Sequence, residues 1–325
     1  MGAWPSLKNR IVEALQSADG DFVSGEALAE RFGVSRAAVW KAVSQLKAEG
    51  FPIVSAHRRG YRLAEDFDPL VDADGGIGAR TEALGQAVRY FPTVDSTQNA
   101  AKVWLAEGAP HGAVVLAEQQ TAGRGRMGRT WLSPPGRGIW MSVILTDGLT
   151  LTDVHALSLL GGLAVAEALT RFGYDPALKW PNDVLLDGKK AAGVLIEGQG
   201  ELDRLHHAIV GIGVNVKAHA DDFPAELRKT ATALAEHGAP PRRLLLVRAI
   251  LEALEAELAV YRTDGFSRLR ARWMARAAFL ERTIAVRTAE RNLSGRFVGL
   301  TERGMLVLRT DEGIVEVASG EVLLT

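Results

Sequence analysis

Arginines and glycines alternate between Glu118 and Arg129, directly after an apolar segment that we predict to be a strand, Ala113 to Ala117. Glycine lets the backbone approach a ligand closely and lets a segment swing, whereas arginine offers a planar fork that fits a carboxylate or a phosphate. The alternating residues are Gly123, Arg124, Gly125, Arg126, Gly128 and Arg129. The pattern predicts a mobile loop that closes on an anion. The alternatives are a solvated surface loop or an arginine-glycine segment that contacts nucleic acid.

A second polar group follows about fifty residues later along the chain. Its residues are Lys179, Trp180, Pro181, Asn182 and Asp183. Pro181 cannot donate to a strand ladder, so we expect it to end or kink a strand and to leave its polar neighbours at the mouth of a sheet. Asp187 and Gly188 predict a hairpin turn that leads into Lys190. A lysine after a turn is usually a solubilising charge, but Lys190 shares one sheet region with the arginine loop.

Two later apolar segments predict further strands of this sheet, Gly193 to Glu197 and Ile209 to Asn215. The second contains glycines, and a glycine within a strand often marks the close approach of a ligand. Between the loop and these segments, Gly138 to Thr146 predicts a buried strand and Asp153 to Phe172 a long apolar helix. The candidate residues therefore surround one sheet.

Other chemistries find little support in the composition. The chain has no cysteine, which excludes disulfides, thiolate metal sites and a cysteine nucleophile, and is compatible with a reducing cytoplasm. Its seven histidines are scattered, and His206 and His207 are predicted strand-edge residues rather than ligands. We find no serine triad and no glycine-rich Walker loop, so a nucleotide would have to be bound in another way.

The length of 325 residues predicts two or three domains, and 47% hydrophobic with 24% charged residues is ordinary for a soluble globular protein. A formal net charge of -1 means that any binding of nucleic acid must be local. The N-terminus lacks the apolar stretch of a signal peptide, and we expect no membrane-spanning segment, which would need ~20 apolar residues. We therefore expect a cytoplasmic protein without membrane partners.

The pattern of apolar and polar residues divides the chain into three regions, with a linker after the first. Residues 1–65 predict three helices and a hairpin, residues 66–80 an acidic linker with glycine and proline, residues 81–278 mixed strands and helices, and residues 279–325 a small β unit. The strands predicted in the last region are Ile284 to Val286, Gly295 to Val298, Met305 to Leu308 and Ile314 to Val317.

The first region has the order of a helix-turn-helix unit followed by a wing. A short helix ends near Gly33, and Ser35 is a good N-cap for the next helix. That helix places Ala38, Val39, Ala42, Val43 and Leu46 on one face. Two short strands, Ile53 to Ala56 and Gly60 to Leu63, then flank a basic tip.

This region carries a local excess of positive charge, as contacts to phosphates require. From Arg31 to Arg62 there are seven Lys and Arg residues and a single acid, Glu49. The predicted DNA-binding residues are Ser35, Arg36, Lys41, Gln45, Arg58 and Arg59. The alternative is a three-helix protein-interaction module with a solvated basic face, against which Arg58 and Arg59 at the hairpin tip argue.

Taken together, the motifs resemble the biotin protein ligases, and the resemblance spans nearly the whole chain. The matching residues are Asp95 to Thr97, Gln120, Gly123 to Arg126, Lys179 to Asp183, Lys190 to Gly193 and Gly213 to Asn215. With a helix-turn-helix ahead and a β unit behind, the chain is similar to the members that also repress biotin operons. The implied fold is α+β: a winged helix-turn-helix, a central mixed α/β domain of the class II synthetase-like type, and a small SH3-like β-barrel.

The resemblance implies a two-step reaction and its partners. Biotin and Mg-ATP would give biotinyl-5'-adenylate and pyrophosphate, and the acyl group would then pass to one lysine of a biotin carrier protein, such as a subunit of acetyl-CoA carboxylase. Mg²⁺ with ATP is the implied cofactor. The other implied partners are operator DNA and a second copy of the chain, which would pair when the adenylate binds.

Carried over position by position, the resemblance assigns a role to each motif. The implied biotin-binding residues are Ser96, Thr97, Gln120, Gly123, Arg124, Arg126, Lys190 and Gly193. The implied ATP and adenylate residues are Trp131, Lys179, Asn182, Asp183 and Asn215, with Asp183 near the magnesium ion. The catalytic cations would be Lys190, Arg126 and Arg124, because an anionic carboxylate must attack an anionic phosphate.

Two departures from the family pattern concern the loop and the helix that precedes it. Gln98 and Asn99 replace the commoner asparagine after Ser-Thr, and Met127 stands where another arginine is often found. Neither removes a reacting group. Two other functions remain open: a lipoate-type acyl ligase on the same fold, and a DNA-binding biotin sensor without ligase activity.

Overall fold

The computed structural model describes residues 7–18, 20–48, 51–64, 68–72, 75–148, 150, 153–201 and 204–323. Glu49, named above, lies outside these ranges, as do Glu65 at the end of the first predicted region and Asp66, Phe67 and Asp74 of the predicted linker. The description below concerns the described residues alone.

The first region is a winged helix-turn-helix, as the sequence predicts. Its elements are α1 (Leu7–Ser17), α2 (Gly25–Phe32), α3 (Arg36–Ala48), β1 (Ile53–Ala56) and β2 (Gly60–Leu63). Gly33 adopts a left-handed conformation with φ 66° between the two helices, and Ser35 Oγ accepts a hydrogen bond from the Ala38 amide at 3.1 Å. Val39, Ala42, Val43 and Leu46 are buried, whereas Ala38 is half-buried. Their burial fixes which face of α3 points outwards.

The central region is a seven-stranded mixed sheet covered by helices. Its elements are β3 (Val88–Val94), α4 (Thr97–Ala106), β4 (Val114–Gln120), β5 (Gly138–Leu145), α5 (Asp153–Arg171), β6 (Ala177–Lys179), β7 (Asp183–Leu186), β8 (Lys189–Glu201), β9 (Arg204–Asn215), α6 (Arg243–Asp264) and α7 (Phe266–Ala275). The strand order is β3-β4-β5-β9-β8-β7-β6, in which β3 and β4 are parallel and the other pairs antiparallel. The strand β6 ends at Lys179, two residues before Pro181, as the missing proline donor requires.

Helix α5 is long and apolar enough to meet the length and composition of a membrane span, unlike our expectation from the sequence. However, 67% of its apolar window is buried inside the protein, where it packs against α6 and β8. The hydrophobic face of α5 is therefore satisfied by the protein itself, as in the core helix of a globular domain.

The last region is a five-stranded antiparallel sheet. Its strands are β10 (Thr283–Arg287), β11 (Asn292–Leu300), β12 (Leu306–Thr310), β13 (Gly313–Val317) and β14 (Glu321–Leu323), in the order β13-β12-β11-β10-β14. The sequence predicts the first four and misses β14, which has only three residues. Phe297, Leu306 and Leu308 join the apolar core of the central region, and Trp180 Nε1 donates to the Gly304 carbonyl at 3.1 Å. The two regions thus share one core.

A side-chain hydrogen bond joins the winged helix-turn-helix to the outer strand of the central sheet. Gln16 Nε2 on α1 donates to the Tyr90 hydroxyl on β3 at 2.9 Å. Burial, and after it the nearby Glu118 carboxylate, raise the pKa of Tyr90 well above its ordinary value. The hydroxyl therefore stays neutral and lies close to the charged centre of the domain.

That centre is the ion pair of Glu118 on β4 with Arg243, the first residue of α6. Both side chains are fully buried. The Arg243 guanidinium donates to both Glu118 carboxylate oxygens, at 2.9 and 3.1 Å, and to the Gly138 carbonyl at 3.0 Å, as well as to the Asp68 carbonyl. The Arg243 amide donates to Asp68 Oδ2 at 2.7 Å. One guanidinium thus ties the segment before the sheet to β4, β5 and α6.

Replacing Arg243 by methionine should leave the Glu118 carboxylate buried without a counter-charge. Loss of one partner of a buried pair typically costs about 3–5 kcal/mol. We therefore expect Arg243→Met to lower the free energy of unfolding by about that amount in urea titrations. The adjacent Arg242, whose side chain is 70% exposed, is the matched control, and Arg242→Met should cost less than about 1 kcal/mol. Equal losses for the two variants would contradict a central role for the buried pair.

Candidate active site

A cavity of about 410 Å³ opens on one face of the central sheet. Its walls are β8 and β9, the loop between β4 and β5, the turn between β6 and β7, and the residues around β14. All the residues predicted to bind biotin or ATP line it except Gly123. Segments that are far apart in the sequence therefore meet at one place.

One end of the cavity carries neutral hydrogen-bonding groups. Gln120 Oε1 accepts from the Thr97 amide at 2.8 Å and from the Thr97 hydroxyl at 3.1 Å. Gln120 Nε2 donates to Ser133 Oγ at 2.8 Å, and Ser142 Oγ donates to Thr97 Oγ1 at 2.8 Å. Ser96, the N-cap of α4, accepts from the Gln98 amide. These bonds fix the orientation of Ser96, Thr97 and Gln120 before any ligand binds.

Gln98 belongs to this end of the cavity, although the sequence marked it only as a departure. Its side chain is nearly buried, and Nε2 donates to the Leu195 carbonyl at 3.0 Å. Because the Leu195 carbonyl is an acceptor, the side-chain nitrogen of Gln98, and not its oxygen, must face it. Oε1 is left buried without a donor among the described residues. Gln98 therefore offers a ligand one further acceptor.

The floor of the cavity is made of glycines covered by Trp131. A Cβ atom at Gly213 would lie 2.6 Å from the Trp131 ring, and one at Gly193 would lie 3.1 Å from it. Only glycine therefore lets the indole lie this close to β8 and β9. Trp131 Nε1 is buried and has no acceptor among the described residues, so an aromatic surface and an unused donor both border the cavity.

The other end of the cavity is positively charged. Lys190 Nζ lies 2.6 Å from Asp183 Oδ1, and Lys179 Nζ lies 3.4 Å from Asp183 Oδ2. The first contact is a close charge pair without the alignment of a hydrogen bond. Lys190 Nζ also lies 5.1 Å from the centre of the Trp131 ring. Two lysines share one carboxylate here, which leaves a net positive charge for an anionic ligand.

The two predicted catalytic arginines differ in their partners. Arg124 donates to Glu197 Oε2 at 3.0 Å and to Asn99 Oδ1 at 2.8 Å, so a carboxylate already balances its charge. Arg126 donates to the neutral Asn182 Oδ1 at 3.3 Å. Burial lowers the pKa of Arg126, partly offset by Asp183. Arg126 is thus the half-buried cation that is better placed to meet an incoming anion.

Gly123 lies behind the cavity wall rather than in it. A Cβ atom there would lie 2.4 Å from the Trp131 carbonyl and 2.8 Å from Ser133 Oγ. The absence of a side chain at Gly123 therefore lets the two arms of the loop approach each other.

Met127, the second departure from the family pattern, lies at the exposed tip of the loop with φ 56°, and its side chain is 63% exposed. It adds no charge to the site.

A wall formed by residues 223–231 has no motif in the sequence and was not predicted. Phe223, Leu227 and Thr230 line the cavity. The Lys190 amide donates to the Thr230 carbonyl at 2.7 Å, so this segment holds the backbone of the candidate catalytic lysine. Asn215 Nδ2 donates to the Thr232 carbonyl at 2.9 Å, which fixes a predicted adenylate residue against the same segment.

The metal-ligating side chains around the cavity determine whether a magnesium ion fits there. Among the described residues, no group of three or more His, Cys, Asp and Glu side chains could hold a metal by itself. Asp183 is a carboxylate that lines the cavity, beside cations suited to phosphates. Magnesium commonly binds through one or two carboxylates together with substrate phosphates. The site therefore fits an ion that arrives with a nucleotide, and not a resident metal.

The predicted DNA-binding residues all lie on the surface of the first region. Ser35, Arg36, Lys41, Gln45, Arg58 and Arg59 are all exposed. Arg58 lies at the hairpin tip with φ 61°, and the Arg59 guanidinium lies 4.2 Å from the centre of the Phe22 ring. Ser35 also caps α3. Helix α3 and the wing thus both present exposed basic side chains.

The loop over the cavity is tied to the last region through Arg129. This guanidinium pairs with Glu321 at the start of β14, and Arg287 Nη2 donates to the same carboxylate at 2.7 Å. The hydrogen bond from Arg129 is the main cause that lowers the pKa of Glu321 to about 2. We call this contact the Arg129–Glu321 latch. Sequence reasoning missed it because nothing local links two residues 192 positions apart.

Comparison with family models assigns each region. Residues 90–215 match the biotin/lipoate A/B protein ligase family, residues 8–62 an HTH domain, and residues 279–324 the biotin protein ligase C terminal domain. The order of these matches along the chain is the order that the sequence motifs imply.

Full-length relatives extend these matches. The chain is 36% identical over 321 residues to the bifunctional ligase/repressor BirA of Bacillus subtilis, covering 98% of this chain and 99% of the relative. It is 30% identical over 308 residues to that of Escherichia coli, covering 94% of each. The biotin protein ligase of Aquifex aeolicus, solved with biotin and ATP, superposes with a TM-score of 0.64 at 33% identity, covering 73% of this chain and 98% of that one.

We expect Glu321→Gln to open the Arg129–Glu321 latch, because it removes the charge that holds Arg129. Hydrogen exchange of residues 121–132, measured by mass spectrometry, should become faster in the variant. The matched control is Glu316→Gln, an exposed residue of the same small sheet, which should leave the exchange unchanged. Slow exchange in all three proteins would show that the latch does not hold the loop.

The pH dependence of the same contact has a defined direction. The pKa of Glu321 lies below its ordinary 4.5, so the latch contributes fully above that pH and is lost as the pH falls through about 2. Wild-type exchange in the loop, corrected for its intrinsic rate, should therefore stay protected down to pH 4.5.

Proposed function

The chain belongs to the biotin protein ligase family, and we propose that it is a bifunctional enzyme and repressor. As an ATP-dependent, AMP-forming ligase, it joins biotin to a lysine of a biotin carrier protein. The observation that carries the proposal is a cavity with a neutral hydrogen-bonding end and a cationic end, which suits a molecule with a polar uncharged head and a carboxylate.

In the first step, an oxygen of the biotin carboxylate attacks the α-phosphate of ATP, and pyrophosphate leaves. In the second, a carrier lysine attacks the acyl carbon of biotinyl-5'-AMP, and AMP leaves. Both reactants of the first step are anions, so preorganised cations are the main catalytic device. Lys190 and Arg126 supply them, with Lys179 beside Asp183. Arg124 contributes charge that Glu197 partly balances.

The cavity residues fall into groups that bind different parts of the substrates: the ureido head of biotin, its carboxylate with the phosphate, and the adenine and ribose. Ser96, Thr97 and Gln120 hydrogen-bond the ureido head, and Gln98 Oε1 is a further acceptor beside them. Lys190, Arg124 and Arg126 hold the carboxylate and phosphate, with the Gly123 and Gly193 backbone beside them. Trp131 packs beside adenine, and Asn182 and Asn215 lie around adenine and ribose.

Asp183 would hold a magnesium ion together with the ATP phosphates, and the ion would supply positive charge that offsets the negative charge developing on the leaving pyrophosphate. Lys179 and Lys190 keep the Asp183 carboxylate in place. An acyl-adenylate is labile to water, so the loop that the latch holds over the cavity protects it.

The neutral end of the cavity favours biotin over a lipoyl group. A dithiolane ring has no N–H group to donate to Gln98 Oε1, which would then stay buried without a donor among the described residues. Thr97 and Gln120, which already pair with each other, would gain no hydrogen bond from such a ring. The deciding assay incubates the chain with labelled biotin or labelled lipoate, ATP and a carrier domain. Label from biotin alone on the carrier lysine supports the proposal, and label from lipoate alone contradicts it.

We propose that the winged helix-turn-helix gives the same chain its biotin-responsive repression. The domain limits that we propose are 1–65 for DNA binding, 66–80 for a linker, 81–278 for catalysis and 279–325 for the small β domain. The carrier is a subunit of acetyl-CoA carboxylase or a similar protein. The chain acts in the cytoplasm, which the absence of cysteine suits.

Lys190→Ala should abolish adenylate formation without unfolding the protein. The variant removes a half-buried cation placed between two anions, and the loss of one such group typically costs roughly 10²–10³ in rate. Pyrophosphate release measures it. The neighbouring Lys189 is exposed and is the matched control, since Lys189→Ala should keep the wild-type rate. A rate within about tenfold of wild type for Lys190→Ala would remove this residue from the mechanism.

Arg126→Gly should release the adenylate before it reaches the carrier. The variant removes one catalytic cation and should slow adenylation, which Lys190 and Lys179 still support. Because it also removes the contact to Asn182 and loosens the loop, the adenylate that forms escapes and labels bystander lysines. Labelling of a protein mixture with biotin and ATP measures this. Adding Lys190→Ala should abolish the bystander label, because no adenylate then forms. Strict labelling of the carrier by Arg126→Gly alone would argue against a closing loop.

Biotinyl-adenylate should strengthen self-association and tighten binding to an inverted-repeat operator. One helix-turn-helix covers a half-site, and a two-fold dimer presents two. A ligand that favours the dimer is coupled to DNA in both directions. Sedimentation and gel-shift experiments with and without biotin and ATP test this. Deleting residues 1–64 should abolish operator binding and leave some ligation. An operator affinity that is the same with and without the adenylate would contradict the coupling.

A further inference from the structure

Trp40 is the most exposed large apolar side chain among the described residues, at 64%. It lies on α3, whose opposite face buries Val39, Val43 and Leu46 against the rest of the first region. A tryptophan can bury roughly 150–250 Å² in a contact. Trp40 leaves most of this area exposed in the described part of the chain, so its surface is available to a partner.

The surroundings of Trp40 define the charge of that partner. Arg36 lies one helical turn before it and Lys41 directly after it, and both are exposed. Neither makes an ion pair within the described ranges, nor does Arg58 at the wing tip. The helix α3 contains no acidic residue. A polyanion therefore fits this face, and apolar contact must be combined with contacts to negative charge.

The shape of α3 adds a second constraint. In the helical projection, Trp40 has the small side chains Ala37, Ser44 and Ala48 on one side and the basic side chains Arg36 and Lys47 on the other. The helix thus presents a narrow surface from which one large apolar group protrudes. A surface of this kind enters the major groove of DNA, which is about 12 Å wide.

We propose that Trp40 contacts the C5 methyl group of a thymine in each operator half-site. Thymine carries the apolar group of the base edges in the major groove, so it is the base feature that an indole recognises. Arg36, Lys41 and Arg58 would meet phosphates, and phosphate contacts fix position but carry no sequence information. Trp40 would therefore determine part of the sequence preference. This inference rests on the proposed repressor function.

The test uses the full chain with biotin and Mg-ATP. The probe is a duplex that the wild-type protein selects from a pool of random sequences. Each thymine of one half-site is then replaced in turn by deoxyuridine, which removes the methyl group and leaves the base pairing unchanged. Affinities of the wild type and of Trp40→Ala are measured by fluorescence anisotropy for every duplex.

We expect Trp40→Ala to bind the selected duplex roughly tenfold more weakly, a loss comparable to one mismatched base pair. At one thymine position, deoxyuridine should weaken the wild type and leave Trp40→Ala unaffected. Trp40→Phe should keep most of the affinity. The dependence of affinity on salt should not change for Trp40→Ala, whereas Lys41→Ala should lower its slope by about one.

Ile314→Ala is the matched control, since Ile314 is 59% exposed on the small β domain and far in sequence from α3. Its operator affinity should equal that of the wild type. Ligation by Trp40→Ala should also be normal, which shows that the catalytic region is intact. A wild-type circular dichroism spectrum and melting midpoint of residues 1–64 carrying Trp40→Ala, compared with the same segment without the substitution, show that the first region is folded.

Three results would overturn the proposal. Equal sensitivity of wild type and Trp40→Ala to deoxyuridine at all positions would show that Trp40 contacts no thymine methyl group. Weaker self-association of Trp40→Ala without DNA would place Trp40 in a protein interface instead. Failure of the wild type to select any sequence would overturn the repressor function as well, and this distinguishes the two failures.

Discussion

The buried ion pair between Glu118 and Arg243 is the contact on which the arrangement of the site depends. Both side chains are excluded from solvent, so neither charge is tolerated without the other. Arg243 begins α6 and Glu118 lies two residues before Gln120, so the pair fixes the strand that carries part of the neutral pocket. Further bonds to Asp68 and Gly138 join the segment before the sheet and β5 to the same guanidinium. Ligand-binding groups thus rest on a buried, charge-paired centre.

The cavity built above this centre separates two kinds of chemistry. At one end, Thr97 and Gln120 hold neutral donors and acceptors in fixed positions, which supports recognition of a polar head without charge. At the other, Lys179, Lys190 and Arg126 form a positive surface in which a single carboxylate is shared. Electrostatic stabilisation is strongest where the groups are preorganised and water is excluded. The division between the two ends explains how one cavity can both select and activate a carboxylic acid.

The same strands bring the regions of the chain close together. Strand β3 pairs with β4 in parallel, with Tyr90 opposite Leu116, and the Tyr90 hydroxyl accepts a bond from Gln16 of the DNA-binding region. On the other side, the loop that follows β4 is held by Glu321 of the small β domain. A ligand that moves this loop therefore acts next to contacts that involve all three regions. This proximity supplies a physical basis for coupling between the sites.

The sequence by itself determined many of the elements around the site and the motif residues that carry chemistry, but not β14 or the wall of residues 223–231. Hydrophobic periodicity placed α3 and the wing, and Pro181 marked the end of β6, because these are local properties of the backbone and of side-chain pattern. Resemblance of the motifs then identified the family. Tertiary structure alone decided which groups meet: Arg124 with Glu197, Gln98 with Leu195, and Arg129 with Glu321. Those partners are distant in sequence. The local conformational preferences of the residues therefore cannot predict which strand a given side chain will face once the chain has packed.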